Sequence, residues 1–130
     1  MEFLISDEAR FSFPARQGGH KVPVLIEADV GKIRKFYGQT YAGRTFFAGA
    51  GGVEKLHKLE NAYVWLSDNE MVWAPILDLR SPNPEEFFFA GGRHTFVALE
   101  TQGFKCISVA VPEDRRADLA ALLCCDHGCA

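Results

Sequence analysis

Residues 91 to 95 read Gly91, Gly92, Arg93, His94, Thr95: two residues without side chains, then a permanent cation, an imidazole and a hydroxyl. Those types in that order suit an anion. A glycine pair lets the backbone turn sharply. At a helix start it leaves N–H groups that have no acceptor within the helix and that carry the positive end of its dipole. Arg93 and His94 add donors there, and Thr95 can bond a phosphate oxygen or cap the helix. The same spacing also suits a plain strand-to-helix turn, with Arg93 in solvent and His94 packed. Carboxylates able to serve a metal or act as a base lie nearby in sequence at Asp78, Glu85 and Glu86, of which Asp78 and Glu86 are the accessory candidates. No paired carboxylates on a helix and no Ser-His-Asp order assign a catalytic residue, so binding ranks above catalysis.

The elements that must position these groups follow from periodicity. EFFFA, residues 86–90, has strand composition, and HTFVALETQ, residues 94–102, has helix composition with Phe96, Val97 and Leu99 to pack inward and Gly103 as its stop. KCISVAVP, residues 105–112, alternates Ile107, Val109 and Val111 against Cys106, Ser108 and Ala110, a strand closed by Pro112. The unit is strand, glycine turn, helix, strand, with about fifteen residues between strand ends, enough for a helical crossover between parallel neighbours.

Upstream, KVPVLIE (21–27) reads as a strand, and ADVGKIRKFYG (28–38) as a helix started by Asp29 and stopped by Gly38. Its Lys32, Arg34 and Lys35 suit a solvated face or a phosphate contact. Residues 38–52 are glycine-rich and read as a loop, with Tyr41, Phe46 and Phe47 as aromatic anchors. VEKLHKLE (53–60) has helical spacing with His57 off the apolar face. AYVWL (62–66) and MVWAPILDL (71–79) flank the turn SDNE as a hairpin, its second arm interrupted at Pro75. SPNPEE (81–86) is a loop, and PEDRRADLAALL (112–123) a short amphipathic helix with Leu119, Leu122 and Leu123 on one face.

The 130 residues suit one domain, with 48% hydrophobic and 24% charged residues, enough apolar surface for a core. Net charge −3 and a pI near 5.8 exclude a general positive field toward nucleic acid or anionic membrane, so any such binding needs a local patch. No apolar run reaches the length of a membrane span. The first ten residues carry Glu2, Asp7 and Glu8 and do not read as a signal peptide, which leads to the expectation of a soluble cytoplasmic protein. In that setting Cys106, Cys124, Cys125 and Cys129 are expected as reduced thiols, and the ending CCDHGCA as a frayed tail rather than a zinc site with His127. The expected boundaries are a single domain over residues 1–123 and a cysteine-rich tail over 124–130.

The segment FFFAGGRHTFVALETQGFKCISVAVP resembles the signature of the ParB/sulfiredoxin superfamily, in which a strand leads into G-x-H-R or G-E-R-R at a helix start, followed by an alanine, a glycine and a further strand. Gly92, Arg93 and His94 match the first three motif positions, Ala98 the alanine, and Gly103-Phe104 the glycine and its aromatic follower. Ile107-Ser108-Val109 matches the last strand. Ala74-Pro75-Ile76-Leu77 is similar to the strand that precedes the motif, and the match covers about residues 74 to 111, under a third of the chain. The resemblance implies a mixed α/β (α+β) domain with a small mixed sheet and a strand-turn-helix-strand phosphate motif. It implies phosphate contacts from Gly91 to Thr95 and, as ligand, a nucleoside triphosphate with Mg²⁺ or the phosphates of DNA. Plasmid, phage or other mobile elements are the setting it suggests. Thr95 stands where the family usually has arginine, which weakens a phosphate site. Arg93 replaces the cysteine that sulfiredoxins need, and ParB proteins need a helix-turn-helix domain for which about twenty residues leave no room. Two functions are therefore expected: a nucleotide- or DNA-phosphate-binding module, with weak NTPase or nuclease chemistry at most, or a non-catalytic inhibitor of a conjugation, nuclease or defence component. The second would use Tyr41, Phe46 and Phe47 as contact anchors.

Overall fold

The computed structural model describes residues 2–12, 22–47 and 71–125. The expected helix over 53–60, the hairpin arm over 62–66, and His127 and Cys129 lie outside them. The chain begins with strand β1 (Glu2–Leu4) and helix α1 (Asp7–Ser12), and strand β2 (Pro23–Asp29) then runs directly into helix α2 (Val30–Gly38). The junction is set by Asp29, whose backbone is extended and whose carboxylate accepts the Lys32 N–H at 2.8 Å, satisfying one of the orphan donors of the first helical turn.

Helix α3 (Tyr41–Phe47) occupies part of the segment expected as a glycine loop. The correction has a local cause. Thr40 accepts the Gly43 N–H on its Oγ1 at 3.0 Å and donates the same hydroxyl to the Tyr37 carbonyl, so one side chain ends α2 and starts α3. Gly43 is buried against the end of α2, and a Cβ there would overlap the Tyr37 carbonyl. Gly43→Ala should therefore destabilise the fold by about 1–3 kcal/mol through overpacking, read as a lower urea midpoint at unchanged slope. An unchanged midpoint would mean that α2 and α3 separate at no cost.

Strand β3 (Met71–Trp73) and strand β4 (Ile76–Leu79) are two arms of one apolar run, parted at Ala74-Pro75 as the sequence suggests. Proline has no N–H to give a ladder, and the chain changes sheet there. Ala74 donates to the Leu4 carbonyl at 2.8 Å, whereas the Pro75 carbonyl accepts from Ala110 at 2.8 Å. β1 and β3 pair in parallel, Glu2 opposite Met71.

After a 3-10 turn at Pro84–Glu86 come strand β5 (Phe87–Gly91), helix α4 (Arg93–Thr101), strand β6 (Cys106–Pro112) and, past a second such turn, helix α5 (Arg116–Leu123). The larger sheet has the order β2-β6-β4-β5. β4 lies between β5 and β6, antiparallel to the first and parallel to the second, so β5 and β6 run in opposite directions. The expected crossover between parallel neighbours is thus corrected: α4 joins two antiparallel strands separated by a third. A connection of that length suits either arrangement, and the pairing partners decide.

Among the described residues the result is a mixed α/β domain of two sheets and five helices. Ile107, Val109 and Val111 of β6 face a core shared with Leu77, Phe87, Phe96, Leu99, Leu119 and Leu123. α4 ends as the glycine predicts. Gly103 has φ +91°, its N–H donates to Glu100, and the next N–H, of Phe104, reaches back to Leu99, the paired bonds of a Schellman cap. The expectation of reduced cysteines is corrected: Cys106 at the start of β6 and Cys125 beyond α5 form a disulfide, and Cys124 is disulfide-bonded as well, so none of the three described cysteines is a free thiol. Two cysteines whose Cα atoms stand 6.2 Å apart are within bonding reach, a proximity that their spacing in sequence does not reveal. No helix among the described residues is long and apolar enough to cross a membrane.

Candidate functional site

The glycine pair ends β5 and opens α4, and its two members meet different neighbours. Gly92 is the residue before the first helical turn, with φ +78°, and its carbonyl accepts the first helical bond from the Phe96 N–H at 2.9 Å. Its α-carbon lies on Pro75: a Cβ would stand 2.8 Å from the Pro75 Cα. Gly91 instead faces α1, where a Cβ would meet Glu8 Oε1 at 2.9 Å and Ile76 Cδ1 at 3.1 Å. No side chain caps α4 at its start. The N–H groups of its first turn therefore open beside a glycine turn that packs on Pro75 below and on a carboxylate at the side.

Arg93, His94 and Thr95 are all half-buried at this helix start. Phe46, from α3, organises the first two. The Arg93 guanidinium lies 4.7 Å from the centre of the Phe46 ring, and the His94 ring meets Phe46 edge-on with centroids 5.3 Å apart. An arginine over a ring face gains a cation–π attraction and loses little of its donor capacity, so stacking fixes the cation in place. Phe46 is held by Phe47 at 5.5 Å, Phe47 by Tyr37 at 5.7 Å, and Tyr37 by Phe89 at 4.7 Å. A run of ring contacts thus carries the position of β5 and α2 out to the side chains that open α4.

Arg93 has no carboxylate partner among the described residues, in contrast to Arg34, which pairs with Glu100 at 2.8 Å and covers Phe47 at 3.6 Å. Of the basic triplet on α2, Lys32 donates to the Cys124 carbonyl at 2.7 Å and Lys35 lies 5.3 Å from the ring of its neighbour Phe36. These contacts hold the fold together around α2 rather than aim the triplet at the glycine turn.

The accessory carboxylates do not join the site. Asp78 sits opposite Phe88 in the β4–β5 register, its carboxylate accepting the Leu79 N–H at 2.7 Å. Glu86 precedes β5 and accepts from the Ser81 hydroxyl at 2.6 Å. At about 3.4 Å per strand residue, Asp78 falls roughly 10 Å and Glu86 roughly 15 Å along the sheet from the glycine pair. They do not fit a Mg²⁺ ion held beside phosphates at Gly92. Among the described residues no group of three or more His, Cys, Asp and Glu is placed to hold a metal ion.

No family model, curated protein or solved structure matches this chain. The site is accordingly judged by its own groups. Sequence reasoning found the glycine pair and the three residues after it, but missed Glu8, Pro75 and the pairing of Phe46 with Arg93 and His94. All three arrive through tertiary packing, and only the Pro75 break left a mark in the sequence. Of the aromatic anchors, Tyr41 is 80% exposed, whereas Phe46 and Phe47 pack against the core cluster, so the three do not form one exposed contact surface.

Proposed function

We propose that the chain is a phosphate-binding module of ParB/sulfiredoxin type that takes a nucleotide or the backbone of a nucleic acid at the start of α4. The observation that carries this reading is Arg93: a cation stacked on Phe46, with no carboxylate partner among the described residues, beside the uncapped first turn of a helix. Backbone N–H groups and a guanidinium in one place match the tetrahedral, multiply accepting surface of a phosphate. Thr95 offers a hydroxyl in place of the family's arginine, so affinity rests on a single strong cation. Glu8 sets a negative charge at the side of Gly91 and lowers that affinity further. Binding rather than turnover is the activity these groups support best, since among the described residues no group of three or more His, Cys, Asp and Glu is placed to hold a metal ion.

Titration with ATP, CTP, GTP and a short DNA duplex, each with and without Mg²⁺, tests the reading. At least one should bind in a salt-sensitive manner, and Arg93→Ala should weaken it about ten- to hundred-fold, the worth of a charge-assisted hydrogen bond. Binding unaffected by Arg93→Ala would move the ligand elsewhere. The absence of binding to every probe would favour the second reading, a non-catalytic inhibitor that docks on a protein. Tyr41 supports that alternative, since a tyrosine 80% exposed at the start of α3 is available to a partner.

A further inference from the structure

We infer that the Cys106–Cys125 disulfide is a redox-operated latch on the C-terminal helix, closed by thiol oxidation and opened by a low-molecular-weight thiol. The bond joins two elements held with unequal strength. Cys106 is the first residue of β6, opposite Asp29 in the register with β2, and the adjoining Lys105 carbonyl accepts the Val30 N–H at 3.0 Å. That end is anchored by a seven-residue ladder. Cys125 follows α5, a helix of eight residues with no side-chain cap at its start, whose core contribution is Leu119 and Leu123. A helix so short does not persist in water without docking.

The sulfur bond therefore ties the end of a short helix to an inner strand of the sheet, closing a loop between residues separated by 19 positions. Cys125 is 2% exposed, so the closed latch also buries the residue that follows the helix. At the same end of the helix Lys32 Nζ donates to the Cys124 carbonyl at 2.7 Å.

Opening is a thiol–disulfide exchange. The thiolate of a reductant such as glutathione attacks one sulfur of the pair, a mixed disulfide forms, and the other cysteine leaves as a thiolate and takes a proton. A second glutathione thiolate attacks the glutathione sulfur of that mixed disulfide and the remaining cysteine leaves as a thiolate and takes a proton, so two electrons and two protons pass to the cysteines and glutathione disulfide is released. Glutathione disulfide drives the reverse. The candidate anion site plays no part in this exchange, and the two ideas stand or fall separately.

The test uses the full chain carrying Cys124→Ser and Cys129→Ser, which leaves one thiol pair. After equilibration with glutathione disulfide, alkylation and peptide mass spectrometry should recover Cys106 and Cys125 linked. Hydrogen exchange is then followed in the oxidised chain, in the dithiothreitol-reduced chain and in Cys106→Ser. Opening the latch should speed exchange at residues 117–123 at least ten-fold, leave β2 and β6 nearly unchanged, and lower the melting temperature by about 10 °C. Two free thiols after oxidation would overturn the inference. So would equal exchange of the helix in oxidised and reduced chains, or acceleration spread evenly over β2 and β6, which would make the bond a general staple. Reduction of the chain with dithiothreitol supplies the comparison even if the serine variant fails to fold.

Discussion

Gly92→Ala is expected to destabilise the fold by about 2–5 kcal/mol, far more than alanine at an ordinary helix end. Two costs add. The backbone stands at φ +78°, where a Cβ crowds its own chain and costs about 1–2 kcal/mol. The new methyl would also stand 2.8 Å from the Cα of Pro75, a backbone atom at the handover between two sheets that cannot swing aside as a side chain tip can. Forcing that contact adds roughly 1–3 kcal/mol. Gly103 provides the control, because its φ is +91° but a Cβ there meets nothing within 4 Å. Gly103→Ala should therefore show the first cost alone. Urea unfolding of the two variants side by side decides the matter, and equal losses would mean that Pro75 does not press on Gly92 in solution.

Phe96→Ala is expected to remove about 3–5 kcal/mol, the range for emptying a buried aromatic position. Phe96 is fully buried, belongs to the main core, and meets Phe89 of β5 with ring centres 5.4 Å apart. Its N–H also makes the first backbone bond of α4, to the Gly92 carbonyl. The residue thus seats the helix against the strand that leads into it. The measurement has two parts: a fall in the thermal midpoint and, in the fraction still folded, weaker binding of the phosphate ligand proposed above. A large loss of stability with undiminished affinity would show that the glycine turn holds its geometry without help from the core.

Much of this organisation was legible from residue order. β2 and α2 were readable because alternation gives way to helical spacing at Asp29, a residue that caps. The break before β4 was readable because Pro75 cannot complete a ladder. α4 was bracketed by Gly92 and Gly103, both of which hold positive φ. What could not be read is what depends on partners far along the chain. The strand order places β4 between β5 and β6, and nothing in their composition says so. Helix α3 was hidden because glycine and aromatics suggest a loop, while the Thr40 hydroxyl that starts it acts through two short contacts. Asp78 and Glu86 looked close to the motif in sequence, but an extended strand carries each residue away at a fixed rise. The disulfide was hidden for the opposite reason, since the chain folds two distant cysteines together.

The first strand has a consequence for how the glycine turn is assembled. β1 offers three residues to β3 and finds them across more than half the length of the chain. Closing so long a loop is an entropic cost met by only three residues' worth of ladder, so this pairing is expected to form late and part early, read as faster hydrogen exchange in β1 than in β6. Glu8 travels with it, because α1 follows β1 by two residues. The carboxylate beside Gly91 is therefore a late arrival on a turn that β4, β5 and α4 build without it.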